Sequence, residues 1–486
     1  MKRRRDTHDS LPVPKPLRIV AAGTIFRTHT LALPVHPAPA SVVRATSVRT
    51  DRGGSANIIL SLLAQFDAVE PVLVAPLGGN DEAKMITSDL EKEGVNTHYC
   101  KIWPNAGVPS AWVLLSEEAN TRTVINHNPL PDITHEDFVS ILGPLLAPEN
   151  YSPTQSPTQS ANASSTHLHS MPFMLKPNSP APFDWLHFEG RSVKTTLSNL
   201  TGLDGLARER KWRSFCVFSV DLSRRGRQGV EALIPHADVL FVSKQYAQSI
   251  SPQYATSPRA FLLSLTSSAA PHALIVAHWG SEGAAVLSVP TREYFQSSGW
   301  VEDKSPPNVK DTAMKQQGDN SEFLSVRSGS AYWADGRSRT LSSFSGGPIS
   351  SNNTSGPSVS APQTPRHGTK GKGPVHTDDE DDNDSQGTEM PGGNGDGDGD
   401  DVVDEPGAQD AFIAGMIYAL SRKLCPGHPY TPISGGENKN GRENERARWR
   451  LDECLRFAAE LAGRRAKRNN WDGLAEEMTR AGWFND

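Results

Sequence analysis

The chain has 486 residues, only 36% of them hydrophobic, with 40 glycines and 37 prolines. That composition implies one domain of about 300 residues, ample for a large core, plus low-complexity segments. The formal net charge is -6, with the acid gathered in one late stretch, which gives no argument for nucleic-acid binding.

The opening Met1-Lys2-Arg3-Arg4-Arg5 is basic but short, and residues 1–17 read as a solvated disordered tail rather than an import or membrane signal. No apolar stretch of the signal-peptide kind stands there, and no run of about 18 apolar residues occurs anywhere, so a membrane is not expected as a partner. The four cysteines, Cys100, Cys216, Cys425 and Cys454, lack metal-ligand spacing. Cys216 sits in an apolar run and reads as a buried free thiol, in keeping with a cytoplasmic protein whose thiols stay reduced.

Arg18 to Gly23 is a short apolar run ending in glycine, the pattern of a buried strand. After a proline-rich stretch, Gly53-Gly54-Ser55 precedes an apolar segment that reads as a helix capped by Ser55. A strand at Val72–Ala75 and a helix from Glu82 to Lys92 follow, then a strand pair at Val113–Leu115 and Arg122–Ile125. Residues 149–182 are rich in Ser, Pro, Thr, Asn and Ala and read as a disordered insertion that interrupts a domain begun at 18–148. Between 183 and 300 strands resume at Trp185–Phe188, Phe215–Val220, Val239–Val242 and Ala273–Ala277, with helical segments between them. Apolar strands alternating with helices predict an α/β fold, a mostly parallel central sheet flanked by helices on both faces.

Residues 301–401 read as a second, mostly disordered and acidic insertion, with a possible ordered piece at 322–337. Gly395 to Asp400 lacks the terminal Glu and the spacing of a calcium loop, so a solvated linker is the better reading. Order returns in the C-terminal part, 402–486, with helices expected over Gln409–Lys423 and Trp449–Arg465.

The start of that part carries the chemistry. Gly407-Ala408-Gln409-Asp410 is a small-residue turn opening onto a helix, with one Asp at the junction. Backbone N–H groups of such a turn and the helix N-terminus make a ready anion site. The Asp could take a proton from an attacking hydroxyl, although an Asp at a helix N-terminus is more often only a cap.

The stretch resembles the signature of the PfkB (ribokinase-like) carbohydrate kinases, in which an acidic residue precedes a Gly-Ala-Gly-Asp-Thr-Phe turn. Asp404 matches the leading acid, Gly407 and Ala408 the turn, and Asp410 the family's catalytic base. Other stretches resemble ketohexokinases in the same order: Arg52-Gly53-Gly54, Thr121-Arg122-Thr123, Leu186 to Arg191, Asp238 to Lys244, Trp279 to Ala284 and Leu455-Arg456-Phe457. The resemblance implies a ribokinase-like sheet with a small β-sheet lid, and transfer of the ATP γ-phosphoryl group to a sugar hydroxyl with Mg²⁺. It places Gly407, Ala408 and Gln409 as an anion hole and Thr28, Gly53, Gly54, Ser55, Asn57 and Arg122 on the acceptor side. Lys244, Gly280, Gly283 and Ala459 fall on the nucleotide side, and a homodimer through the lid sheets is a further implication. The plainer readings are that Arg122 is an exposed strand residue and that Gly283 permits a turn.

The chain also departs from that pattern. Gln409 stands at the second glycine of the turn, which would strain the backbone by about 1 kcal/mol if the position requires a positive φ. Ala411 replaces the Thr after the catalytic Asp, Thr28 stands where a sugar-binding Asp is usual, and Ser55 and Ile58 replace two Asn unless a deletion shifts Asn57 into place. Three functions therefore remain open: a kinase for a small sugar-like acceptor, a catalytically impaired module binding a nucleotide or partner, and a scaffold working through its insertions.

Overall fold

The computed structural model describes residues 16–116, 118, 121–150, 180–223, 228–299, 405–422, 449–468 and 470–484. The basic opening, nearly all of the first insertion, the second insertion, Asp404 and Cys425 lie outside the described residues.

An eight-stranded sheet forms the centre, in the order β14-β13-β12-β11-β10-β9-β1-β4. Six strands run parallel: β1 (Leu17–Ala22), β4 (Val69–Val74), β9 (Trp185–Glu189), β10 (Val217–Asp221), β11 (Val239–Ser243) and β12 (Leu274–His278). β13 (Ala284–Ser288) and β14 (Tyr294–Gln296) complete one edge antiparallel. β1 pairs with β9 directly, so chain from both sides of residues 149–182 meets in one sheet.

Side chains alternate between two cores. Ile19, Leu73, Trp185, Val217, Phe241 and Val276 face one layer, built from α1 (Ser55–Leu63), α7 (Glu405–Arg422) and α8 (Leu451–Ala466). Val20, Val72, Leu186, Phe218, Leu240 and Ile275 face the other. There α3 (His135–Leu146), α4 (Val193–Glu209), α5 (Lys244–Ile250) and α6 (Pro258–Leu265) cover the sheet. Burial on both faces is why these strands read as continuous apolar runs. α2 (Asp81–Lys92) and α9 (Leu474–Arg480) add to the first layer.

A second, four-stranded sheet runs β3-β2-β7-β8, from β2 (Phe26–Leu33), β3 (Ser47–Gly53), β7 (Ser110–Ser116) and β8 (Thr121–His127). β5 (Pro76–Gly78) and β6 (Lys101–Trp103) form a short pair. The architecture is the ribokinase-like α/β sheet with a small β-sheet lid that the resemblance implies. No described helix is long and apolar enough to cross a membrane. Cys100 and Cys216 are free cysteines, and burial pushes the Cys216 thiol well above its ordinary range.

Two local expectations are corrected. Gly54, not Ser55, is the N-cap of α1, because the Ser55 hydroxyl is drawn to Asp410 instead. The helix expected from Gln409 begins at Glu405. Pro406 fits its first turn, since the N–H that proline lacks would find no intrahelical partner there. Gly407, Ala408 and Gln409 therefore lie inside the helix rather than in a turn ahead of it. The strain considered for Gln409 does not arise, since its backbone is helical and it is not among the positive-φ residues.

Candidate active site

β1, β4 and β9 to β12 are mutually parallel, so their carboxyl ends share one edge of the sheet. In open α/β sheets the crevice outside these ends is where ligands bind. Here the chain places Gly23, Glu189, Asp221, Ser243 and His278.

The lid meets this edge through Gly53 and Gly54, which join β3 to α1. Gly54 has φ +108 and ψ 123, and a Cβ there would run into the Thr24 carbonyl oxygen. Only glycine makes this connection. Gly54→Ala is expected to destabilise the protein by about 3 kcal/mol, read as a lower urea midpoint. An unchanged midpoint would show that the hinge backbone is not held as described.

Asp410, 5% exposed, accepts a hydrogen bond at Oδ1 from Ser55 Oγ at 2.5 Å. The pair joins the first turns of α7 to the first residue of α1. Glu189, from the end of β9, caps α1 from outside the helix: Oε1 accepts from the Ala56 N–H at 2.6 Å and Oε2 from the Thr24 N–H at 3.3 Å. A carboxylate is stabilising at this positive helix end. Arg191 Nε donates to the same Oε2 at 3.0 Å, and its guanidinium lies 4.7 Å from the Phe26 ring centroid on β2. One buried carboxylate thus ties β9, β1, α1 and the root of the lid together.

Asn57 turns to the hinge. Its amide nitrogen donates to the Gly53 and Gly54 carbonyls at 2.9 and 2.8 Å, and its Oδ1 accepts from Arg52 Nε at 2.9 Å. Both amide hydrogens are spent, so Ile58 stands one residue further along α1 without an amide substitute. Arg52 continues the network to Ser61 at 2.9 Å and Glu93 at 2.5 Å. Thr28, on β2 opposite Asp51, sets its hydroxyl diagonally against Gly53, where a Cβ would collide with it. Arg122, half-buried, lies on β8, the lid edge opposite β3.

On the other side of the crevice, Lys244 opens α5 and pairs with Glu282 in the turn after β12. Gly280 and Gly283 bound that turn with φ of +61 and +108. A Cβ at Gly283 would lie 2.6 and 2.7 Å from the Ser298 and Ser297 carbonyl oxygens, so the residue type is set by space as well as by dihedral. Ala459 is buried in α8. Gln409 reaches His278 Nδ1 at 2.7 Å and Ser223 Oγ at 2.9 Å. Burial holds the His278 imidazole down to about 4, with the Gln409 hydrogen bond opposing in part.

The structure therefore brings Ser55 and Asp410 together, and sets Gly53, Gly54, Asn57 and Thr28 at the hinge. Lys244, Gly280 and Gly283 gather across the crevice. Sequence reasoning quoted Glu189 and Arg191 within a resembling stretch but gave them no role, and passed over Ser223 and His278. The first two had a signal, an acid and a base directly after an apolar strand run. Asp238, which opens the resembling stretch that ends at Lys244, works at the opposite end of the sheet. It accepts from Phe218 N and Arg213 Nη2, both at 2.7 Å, and binds His272. Among the described residues no three metal-ligating side chains cluster.

One family model meets this chain. Residues 18–152 match the pfkB family carbohydrate kinases. That span holds β1, the lid sheet, α1 and α3. No curated protein matches the sequence. Among solved structures the chain is similar to a PfkB protein from Polaromonas sp. JS666, at 13% identity and a TM-score of 0.47, covering 95% of this chain and 98% of that one. It is similar to a nucleoside kinase from Methanocaldococcus jannaschii at 10% identity and a TM-score of 0.48, over 96% and 99% of the two chains. A ribokinase from Cryptococcus neoformans in complex with ADP is 17% identical, with a TM-score of 0.40 over 61% and 82%.

Proposed function

We propose that the chain is a phosphotransferase of the PfkB kind, moving the ATP γ-phosphoryl group to a hydroxyl of a sugar or sugar-like small molecule, with Asp410 as general base. The observation that carries this reading is the Ser55–Asp410 contact: a buried carboxylate at the crevice already accepts a hydroxyl proton donor at 2.5 Å. An acceptor hydroxyl replacing Ser55 Oγ on Oδ1 would lie within reach of proton abstraction. The first turns of α7, with Gly407, Ala408 and Gln409, would face the transferred phosphoryl oxygens with the helix's positive end. Lys244 and the Gly280–Gly283 turn would line the nucleotide, and Arg122 would come to the phosphate as the lid closes. Mg²⁺ would arrive with the nucleotide, whose phosphates and water fill most of its coordination sphere. No side chain of this chain is assigned to it. The kinship to ketohexokinases belongs to the same proposal, as does a cytoplasmic location.

A thermal-shift screen with ATP, ADP and a panel of sugars and nucleosides tests the binding half, because a ligand bound only by the folded state raises its stability. Nucleotide consumption over the same panel tests the chemistry. Turnover on no acceptor favours the second reading, a module that binds a nucleotide or partner without transfer. Its support is specific: Asn57 is spent on the hinge, Ile58 follows it, and Ser55 occupies the base.

Pairing through the lid sheets has a physical basis as well. Thr50, His29, Trp112 and Ile125 stand in one register row across all four strands. Trp112 and Ile125 are 38% and 53% exposed, and His29 stacks on Trp112 with centroids 5.8 Å apart. Such a row is unusual on a sheet facing only water. Sedimentation is expected to show a dimer that Trp112→Glu converts to a monomer; a monomeric wild-type protein would remove this part of the proposal.

A further inference from the structure

We propose that Gln409 is a positioning residue, whose side chain clamps the first turns of α7, and Asp410 with them, to the carboxyl ends of β10 and β12. The inference rests on the kinase reading only for what Asp410 does; the clamp itself is a matter of hydrogen-bond direction.

The direction follows from counting protons. Ser223 has one hydroxyl hydrogen. Its Oγ lies in close hydrogen-bond contact with Asp221 Oδ1, which also accepts the Ser223 N–H at 2.8 Å. An ionised carboxylate only accepts, so Ser223 Oγ donates there. The Gln409 amide, 2.9 Å from Ser223 Oγ, must then present its nitrogen to that oxygen. Its Oε1 is left facing His278 Nδ1 at 2.7 Å, and Nδ1 must carry the proton. The reverse direction would ask one serine hydrogen to serve two acceptors. Amide and imidazole orientations are usually ambiguous, but here the chain of partners decides both.

The anchors are firm. Ser223 is held by Asp221 at the end of β10, and its carbonyl accepts from Ser243 Oγ at 2.6 Å at the end of β11. His278 ends β12 and stacks on Phe412 of α7 with centroids 4.8 Å apart. Its Nε2 is buried without a hydrogen-bond partner among the described residues, as fits a neutral ring with its proton on the other nitrogen. The clamp therefore joins α7 to the ends of β10 and β12, and through Ser223 to that of β11. It also gives a reason for a side chain at a position where the resembling family has glycine.

The test uses the full-length protein with ¹⁵N-labelled histidine, at neutral pH. The imidazole ¹H–¹⁵N correlation of His278, identified by its loss in His278→Gln, is expected to show the proton on Nδ1. Gln409→Met keeps length and helix propensity but removes both hydrogen bonds. It should release the Nδ1–H preference and speed hydrogen exchange at residues 407–411 by about tenfold or more, while β1 and β9 hold their protection. Gln409→Glu retains an acceptor for His278 and should keep the proton on Nδ1. A wild-type His278 protonated on Nε2 overturns the clamp, as does a Gln409→Met protein with unchanged exchange at 407–411. If Gln409→Met fails to fold, the wild-type tautomer alone decides. A clamp that passes these measurements in a protein that turns over no acceptor would stand, and the kinase reading would fall.

Discussion

Asp410→Asn is expected to lower phosphoryl transfer by about 10²–10⁴-fold while nucleotide affinity stays level or improves. Asparagine keeps the size of the side chain and an Oδ1 that can accept from Ser55, so the contact between α1 and α7 survives. The proton acceptor is lost, and with it a negative charge beside the expected phosphates. The competing explanation for an Asp here, a helix N-cap, does not fit its place: α7 begins at Glu405, and Asp410 lies inside it. The substitution should therefore leave the urea midpoint nearly unchanged while turnover collapses, a split that a structural role would not produce. Initial rates and ADP affinity of the two proteins, measured side by side with whichever acceptor supports turnover, decide it. A variant turning over at near the wild-type rate would sink the assignment of Asp410 as the general base.

What was legible in the sequence follows from burial. β11 and β12 are buried on both faces, so each appears as an apolar run that ends in a polar residue, and β10 as one broken only by Ser219. The first two lid strands gave much less than β7 and β8, which read as a strand pair. β3 carries Arg49, Asp51 and Arg52 and is exposed or half-buried along its length, and β2 is half-buried through its middle. A one-layer sheet with prolines at 34, 37 and 39 between its first two strands carries little hydrophobic pattern, so the stretch reads as a loop. The candidate site divides the same way. Gly53, Gly54 and Asp410 are visible because motif spacing marks them. The partners that orient them are far away in sequence, such as Glu189 on α1 and His278 on Gln409. No local pattern records such pairs, and the proton count at Ser223 becomes possible only once the strands are side by side.

His278 and a second buried histidine, His187 on β9, carry the last expectation, a loss of stability in mild acid. His187 and His278 are buried, and burial disfavours the charged ring, holding each down to about 4. Opposing this, Asp221 and Glu189 act on His187, and the Gln409 hydrogen bond acts on His278. Their unfolded value is about 6.5. Because the folded values are lowered, the unfolded chain binds protons first as pH falls. Stability is therefore full above about pH 6.5 and is lost progressively between about 6.5 and 4. Each histidine contributes about 2 kcal/mol of loss between pH 6.5 and 5, above the range where most carboxylates titrate. Urea midpoints taken at half-unit steps should fall steadily across that window, with a slope approaching two protons taken up per molecule unfolded. His187→Gln and His278→Gln should each remove about one proton from the slope. A midpoint that stays level from pH 7 to 5 would mean that these rings find a proton's worth of room in the folded state, and the buried, neutral His278 on which the Gln409 clamp depends would go with it.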